Sequence, residues 1–384
     1  MKNPEYYCRN PFEYIIDENK VRSYDLPDVL LAKDGQFITA KEQWENQRRK
    51  ELLADFAYHI YGEIPPAPDT INFQTVHQDD HALNDTACLR KIEITLTRNQ
   101  KQFVFHLQLF TPKSDQPSPV FLLANNRKPA DAAIDPDQSF WPARSLVLQG
   151  FAAAILNNTQ LAEDCDETFR DGMMQLYPEL TDKPHAWRAI STWAYGVIRC
   201  VDFLAQDQSI DATRISVVGH SRGGKIALWA AANDTRIAMA CVNESGSTGT
   251  AIARRKVGET IKAINDQFPY WFNDIYKQYN DREDDLPVDQ HMLVALVAPR
   301  AVCVGSALED TWADPRGEYL STIHASAVYQ LYGYSGMSDQ LPVTLDGQTL
   351  GEQLSYHIRK GVHGLTEQDW QCYIKAARTF LQID

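Results

Sequence analysis

Several features that would place this 384-residue sequence in a special class are missing. There is no run of about 18 apolar residues, which excludes a membrane-spanning helix. There is no cluster of basic residues, and 51 acidic against 37 basic residues give a net charge of −14, which argues against a general binder of nucleic acid or anionic membranes. No glycine- and serine-rich linker, internal repeat or low-complexity tract divides the chain. The sequence therefore predicts a folded protein without a nucleic-acid or membrane partner.

Cysteine is sparse and has no pattern. The seven cysteines are scattered, and no two stand at C-x-x-C spacing, which argues against zinc knuckles and a dense disulfide framework. Residues 1–20 contain no apolar stretch of the kind that a secretory signal peptide carries. We therefore expect free thiols in a cytoplasmic protein, or a secreted protein if a leader preceded this sequence.

The hydropathy pattern changes near residue 117. Before it, spaced apolar residues predict a helix over 41–61, and alternation predicts strands over 70–76, 87–97 and 102–110. After it, short continuous apolar runs alternate with helical patterns, which is typical of a parallel sheet covered on both faces. The predicted strands are 119–123, 151–156, 215–218, 238–242, 301–304 and 354–358. The predicted helices are 184–205, 223–232, 288–298 and 314–330, with a last helix after 366.

The most informative motif is G-x-S-x-G at residues 219–223, with Ser221 at its centre. It follows an apolar strand and precedes an apolar helix, which is the setting that a nucleophile turn requires. Backbone N–H groups at the start of that helix can stabilise an oxyanion. The same residues also match most of a P-loop, but Ile226 stands where a P-loop needs a hydroxyl for Mg²⁺. We therefore predict a serine nucleophile on an α/β-hydrolase fold.

In this fold the acid and the histidine follow the nucleophile along the chain. His363 lies in a glycine-flanked loop after the last predicted strand and is the candidate base. His357 alternates within that strand and is interpreted as packed, while His291 and His324 lie on helices and are interpreted as structural.

The acid has more than one candidate. Glu309 and Asp310 follow the strand at 301–304, where the fold usually places its acid, and Glu244 follows the strand before it. Either position can orient an imidazole by accepting its N–H. We expect a single domain over 1–384, with an N-terminal wrap at about 1–70 and an insertion near the site at about 256–287.

With these residues the sequence resembles the glucuronoyl esterases, carbohydrate esterase family fifteen, and their bacterial relatives described as acetyl xylan esterases. The S-R-x-G-K pattern that begins at Ser221 sets this family apart within the α/β-hydrolases. Matching segments run along most of the chain, at 20–27, 41–65, 219–225, 243–255, 258–260, 268–272, 286–291, 298–300, 309–315 and 361–366.

The resemblance implies roles at matching positions. It makes Ser221 the nucleophile, His363 the base, and Glu244 and Asp310 alternative acids. Between the two we expect Glu244 to be the closer partner of the imidazole, because residues 243–246 form a tight turn of small residues. Arg222 matches an arginine that polarises the ester carbonyl. Lys225, Glu259 and Trp312 match positions that contact the sugar.

The sequence departs from the family pattern at two places. His220 replaces the cysteine that fungal members carry before the serine, which indicates the bacterial type, and residues 125–129 lack the glycines often found beside the oxyanion hole. No cofactor and no metal is expected, since a metallohydrolase motif such as H-E-x-x-H does not occur. The sequence predicts a serine carbohydrate esterase that acts on a small or oligosaccharide sugar or uronate ester. The alternatives are a deacetylase of acetylated sugars and a catalytically silent sugar-binding protein on the same fold.

Overall fold

A ten-stranded sheet forms the centre of the structure, which is a computed structural model that describes residues 14–127, 139–339 and 350–383. In chain order the strands are β1 (Thr70–His81), β2 (Ala87–Arg98), β3 (Lys101–Pro112), β4 (Ser118–Asn125), β5 (Ala152–Asn157), β6 (Ile210–His220), β7 (Ile237–Asn243), β8 (Ala301–Ala307), β9 (Leu350–Gly351) and β10 (Leu354–Arg359). Across the sheet they follow the order β1-β2-β3-β5-β4-β6-β7-β8-β10-β9.

The sheet has an antiparallel half and a parallel half. β1, β2 and β3 pair antiparallel, and β3 pairs antiparallel with β5. From β5 through β4, β6, β7 and β8 to β10 every pairing is parallel, and β9 closes the edge antiparallel to β10. Because the carboxyl ends of parallel strands share one edge, the segments after β6, β7, β8 and β10 meet there. This arrangement confirms the predicted α/β-hydrolase fold.

Helices cover both faces of the sheet. The helical segment α1 spans 41–61, and the described helices of six or more residues after it are α2 (Ala143–Leu148), α3 (Ala189–Leu204), α4 (Arg222–Asn233), α5 (Ile261–Gln267), α6 (Gln290–Ala295), α7 (Pro315–Leu331) and α8 (Glu367–Phe380). β4 is buried along its whole length and alternates between two apolar cores. Leu122 packs with α3 and α4, whereas Phe121 and Leu123 pack with α8. A strand covered on both sides reads as an unbroken apolar run for this reason.

Predicted and observed boundaries differ mainly where strands reach solvent. β6 begins five residues before the predicted strand, and β1 continues through an exposed polar stretch to His81. Polar residues on an exposed strand do not contribute to an apolar pattern, so the strands predicted from that pattern were too short. The two-residue β9 and the short helices α2 and α5 were not predicted. Within the described residues, no helix has both the length and the apolar character needed to cross a membrane.

The N-terminal segment packs over the helix that follows β6. Within α1, two segments have α-geometry, Lys41–Gln43 and Arg49–Phe56, and two have π-geometry, Trp44–Arg48 and Ala57–Tyr61, so the predicted helix exists but is not uniform. The Tyr61 ring stacks on Trp229 of α4 with centroids 4.5 Å apart. The chain then turns at Gly62, where an added Cβ would lie 2.2 Å from the Trp187 backbone. The segment therefore packs against α4.

Candidate active site

Ser221 lies at a strained turn between β6 and α4. Its φ of 57° and ψ of −124° are rare for a residue with a side chain. A Cβ on Gly219 would lie 1.9 Å from the Gly223 carbonyl oxygen, so only glycine permits this approach. The Ser221 N–H donates to the Asn243 carbonyl at 2.9 Å, which fixes the turn to the end of β7. The first N–H groups of α4 have no intrahelical acceptor and are suited to bind an oxyanion.

His363 lies in the loop after β10 and contacts side chains from two neighbouring strand ends. Its Nδ1 is 2.6 Å from Asp310 Oδ2, after β8, and 3.1 Å from Glu244 Oε2, after β7. Its ring lies 4.4 Å, centroid to centroid, from the ring of His220, the residue before Ser221. The structure thus brings the predicted base together with both predicted acids, next to the nucleophile turn.

The expectation that Glu244 is the closer partner is wrong, because Asp310 approaches the imidazole more closely. Glu244 does point inward from its tight turn, but other donors hold its carboxylate. Arg359 Nη2 donates to Oε1 at 2.5 Å, and the Gly364 N–H donates to Oε2 at 2.8 Å. The arginine lies on β10, and a sequence pattern of small residues around Glu244 could not reveal it.

Arg359 links the histidine loop to the buried part of β10. Besides Glu244, its guanidinium donates to the carbonyl oxygens of Val362 and Gly364. Its Nε donates to Asp369 Oδ2 at 2.8 Å, and Asp369 Oδ1 lies 3.1 Å from His357 Nε2. The prediction that His357 is a packed residue is confirmed by its burial in this network. Arg359 was not singled out from the sequence, although a charged residue at the end of the apolar strand 354–358 was a usable signal.

The charges around the imidazole perturb its protonation. Burial alone lowers the pKa of His363, but the hydrogen bonds and negative charges of Asp310 and Glu244 outweigh it and raise this pKa to about 10. Burial raises the pKa of Glu244 to about 8, against the lowering effect of His363 and Arg359. Burial and the neighbouring His363 hold the pKa of His220 well below its usual value. The carboxylates therefore stabilise the protonated form of the candidate base.

Arg222, the first residue of α4, is held by an acidic and aromatic cluster. It forms an ion pair with Asp164, whose Oδ1 accepts hydrogen bonds from Tyr270 (2.7 Å) and from Trp271 Nε1 (2.9 Å). The guanidinium carbon also lies 5.1 Å from the centroid of the Trp271 ring. Two of these residues belong to the 256–287 segment, so that segment lies beside the nucleophile turn. Its description as an insertion stays a prediction.

Lys225 and Glu259 form a buried polar pair. Lys225 Nζ donates to the Ser245 carbonyl at 2.5 Å and lies 3.5 Å from Glu259 Oε2, which accounts for two of the three ammonium hydrogens. Burial lowers the pKa of Lys225 and raises that of Glu259, and their mutual attraction opposes both shifts. The Glu259 N–H donates to the Trp312 carbonyl at 2.9 Å. The three residues predicted to contact a sugar are therefore neighbours.

Comparison with known proteins identifies the family. A family described as fungal glucuronyl esterase matches residues 94–333. The chain is 35% identical to carbohydrate esterase MZ0003 of an unknown prokaryotic organism, over 98% of this chain and 94% of that protein. The chain belongs to the glucuronoyl esterase family. The resemblance predicted from the sequence is confirmed, and the protein is a carboxylic ester hydrolase.

Two further relatives of the glucuronoyl esterase family support the same assignment. The solved structure of the glucuronoyl esterase from Solibacter usitatus is 34% identical and superposes with a TM-score of 0.87, covering 94% of this chain and 99% of that one. The 4-O-methyl-glucuronoyl methylesterase 1 of Phanerochaete chrysosporium is 27% identical over 80% of this chain, which spans 62% of that relative.

Some residues of the candidate site were not predicted from the sequence. Asp164, far from Ser221 along the chain, was missed because nothing in its surroundings marks it. Glu318 of α7 was also missed: its carboxylate accepts from the Gly246 N–H (2.9 Å) and from Ser306 Oγ (2.6 Å) and so fixes the turn that holds Glu244. Residues 128 and 129 of the predicted oxyanion loop lie outside the described residues. Asn126 lies inside them, with its side-chain oxygen 3.7 Å from where a Cβ on Gly223 would be.

Proposed function

We propose that the protein hydrolyses esters in which a uronic acid supplies the acyl group, with Ser221 as nucleophile, His363 as base and Asp310 as principal acid. The observation that carries the proposal is the 2.6 Å contact of Asp310 with His363 Nδ1, beside the Ser221 turn. A carboxylate on Nδ1 fixes the tautomer that leaves Nε2 to accept the serine proton.

In the first half of the reaction, Ser221 Oγ forms a bond to the ester carbonyl carbon while its proton passes to His363. The negative charge develops on the carbonyl oxygen, near the free N–H groups at the start of α4 and beside Arg222. The C–O bond to the alcohol then breaks, and the alcohol leaves with the proton from His363. The product is an acyl-enzyme.

In the second half, His363 takes a proton from water, and the hydroxide equivalent attacks the acyl carbon. The Ser221–acyl bond breaks, the serine oxygen regains its proton from His363, and the uronic acid departs. Glu244, paired with Arg359, supports the same imidazole with a second negative charge.

The position of Lys225 favours a uronoyl ester over an acetyl ester. Lys225 lies in the first turn of α4, and its N–H donates to the Ser221 carbonyl at 3.3 Å, so the backbones of the two residues are one helical turn apart. In a uronoyl ester the sugar ring belongs to the acyl group, so sugar hydroxyls lie only a few bonds from the carbonyl carbon. In an acetyl ester the acyl group is only a methyl group, and the buried pair of Lys225 with Glu259 would face no hydroxyl on it. The names of relatives such as the Phanerochaete enzyme agree with the uronoyl assignment.

The test compares two esters that differ in which side carries the sugar. We expect purified protein to hydrolyse methyl glucuronate with a higher kcat/KM than an acetylated methyl glucoside. The opposite preference would favour the deacetylase. Failure to cleave either ester, together with failure of a fluorophosphonate probe to label Ser221, would favour a silent sugar-binding protein. An oligosaccharide substrate and a cytoplasmic location stay predictions of the sequence.

A further inference from the structure

Three side chains of metal-ligand type converge next to the proposed nucleophile. They are His220, Glu244 and His363, and one ligand atom from each lies within 4.8 Å of the other two. The proposed reaction uses His363 and Glu244 but gives no task to His220. That histidine is buried at the end of β6 and lies against both His363 and Phe140.

The hydrogen bond of His220 leaves one of its nitrogens available. Its Nδ1 lies 2.6 Å from the side-chain oxygen of Asn243. An amide oxygen only accepts, so Nδ1 carries the proton and Nε2 keeps a lone pair. A histidine that donates its other N–H to a fixed oxygen is oriented in the way that metal-ligating histidines usually are.

We infer that a divalent ion with a preference for imidazole, such as Zn²⁺, binds between His220 and His363 with Glu244 as third ligand, and reversibly inhibits the esterase. Two imidazole nitrogens and one carboxylate oxygen suit Zn²⁺ and Cu²⁺, whereas Mg²⁺ and Ca²⁺ prefer oxygen ligands. Glu244 faces Nδ1 of His363, so an ion that it shares with this histidine binds on that side, displaces the proton that Asp310 accepts and disables the imidazole as a base. This inference goes beyond the proposed function, since binding itself requires no catalysis.

The geometry also explains why such a site would inhibit rather than serve as a permanent metal centre. Nδ1 of His363 already lies 2.6 Å from Asp310 and 3.1 Å from Glu244, so an ion at this nitrogen has to displace existing contacts. Arg359 also holds the carbonyl oxygens of Val362 and Gly364, so the histidine loop is not free to rearrange around the ion. Glu244 is already paired with Arg359, which competes with the ion for the carboxylate. No metal was expected from the sequence, because the three residues come from different strand ends and form no local ligand motif.

The inference is tested by titrating the esterase with ZnCl₂ in metal-free buffer, with each rate expressed relative to the same variant without zinc. We expect micromolar Zn²⁺ to inhibit the wild type and EDTA to restore activity. His220→Gln should raise the inhibitory concentration about tenfold or more, as should His220→Phe, which keeps a ring against His363. His81→Gln, which alters an exposed histidine paired with Asp85, should leave the inhibitory zinc concentration unchanged. MgCl₂ at the same concentrations should not inhibit.

Calorimetry separates this inference from the proposed function. Zn²⁺ is titrated into the Ser221→Ala protein and into the same protein that also carries His220→Gln or His220→Phe. We expect one binding event in the first and a weakening of about tenfold or more in both others. Equal zinc affinity in all three, or a wild type unaffected by millimolar Zn²⁺, would overturn the inference whatever the esterase assays show.

Discussion

Ser221 and His363 lie close together but are positioned by different kinds of interaction. The position of Ser221 is set by the backbone: β6, the glycines of the turn and α4 impose the φ of 57° without a contact from a distant side chain. The position of His363 is set by side chains: Arg359 donates to the loop carbonyls and to Glu244, and Asp310 accepts from His363 Nδ1. The effects of substitutions near Ser221 on catalysis should therefore be independent of one another, whereas the effects of substitutions near His363 should be coupled to each other.

The largest effect on turnover is expected at Ser221, whose position the backbone sets. Ser221→Ala should reduce kcat on methyl glucuronate by roughly 10⁴-fold or more, because the nucleophile is lost while the turn is kept. Thermal unfolding should be unchanged, since alanine and serine are similarly strained at this φ. Ser145→Ala, at a half-buried serine of α2, is the matched control and should keep full activity. Retention of a tenth of the wild-type turnover in Ser221→Ala would remove Ser221 from the mechanism.

The next largest effect should divide the two carboxylates. Asp310→Asn should reduce kcat by about 10²–10⁴-fold, because the amide at the closer position stabilises the wrong imidazole tautomer. Glu244→Gln should cost roughly tenfold less than that, since Arg359 already compensates much of its charge. The double variant should lose less than the two effects combined, because both residues act on one imidazole. A severe Glu244→Gln beside a nearly silent Asp310→Asn would restore the order that the sequence suggested.

The same contrast explains how much could be predicted from the sequence. The strands, the turn at Ser221 and the position of the candidate base follow from local patterns, because apolar runs and glycine spacing act through neighbouring residues. Both candidate acids were located in this way as well. Their order was not, because it depends on Arg359, which lies 115 residues after Glu244 along the chain. The partner of Arg222, Asp164, escaped for the same reason.

A smaller effect is expected where the substrate, rather than the reacting group, is bound. Lys225→Met should reduce kcat/KM on methyl glucuronate by about 1.5–3 kcal/mol if the ammonium donates to a sugar hydroxyl. The rate with 4-nitrophenyl acetate should be nearly unchanged, because that ester has no sugar. Without the lysine the pKa of Glu259 rises further, so the buried carboxyl becomes neutral instead of remaining an unpaired charge. Equal losses on both esters would show that Lys225 supports the fold of the turn and does not recognise the sugar.

The smallest effect is a displacement of the pH profile, and it tests directly how the charges around His363 set its pKa. His363 must be neutral to accept the serine proton, so kcat/KM rises as the pH increases through its pKa. Negative neighbours stabilise the imidazolium and raise that pKa. Glu244→Gln removes one of them and should therefore move the acidic limb of the profile to lower pH, by about one unit or more. Glu309→Gln removes an exposed charge next to Asp310 and should move the limb much less. If both variants shift the limb equally, the effect comes from net charge, and the contact of Glu244 with His363 has no special part in setting the pKa of the base.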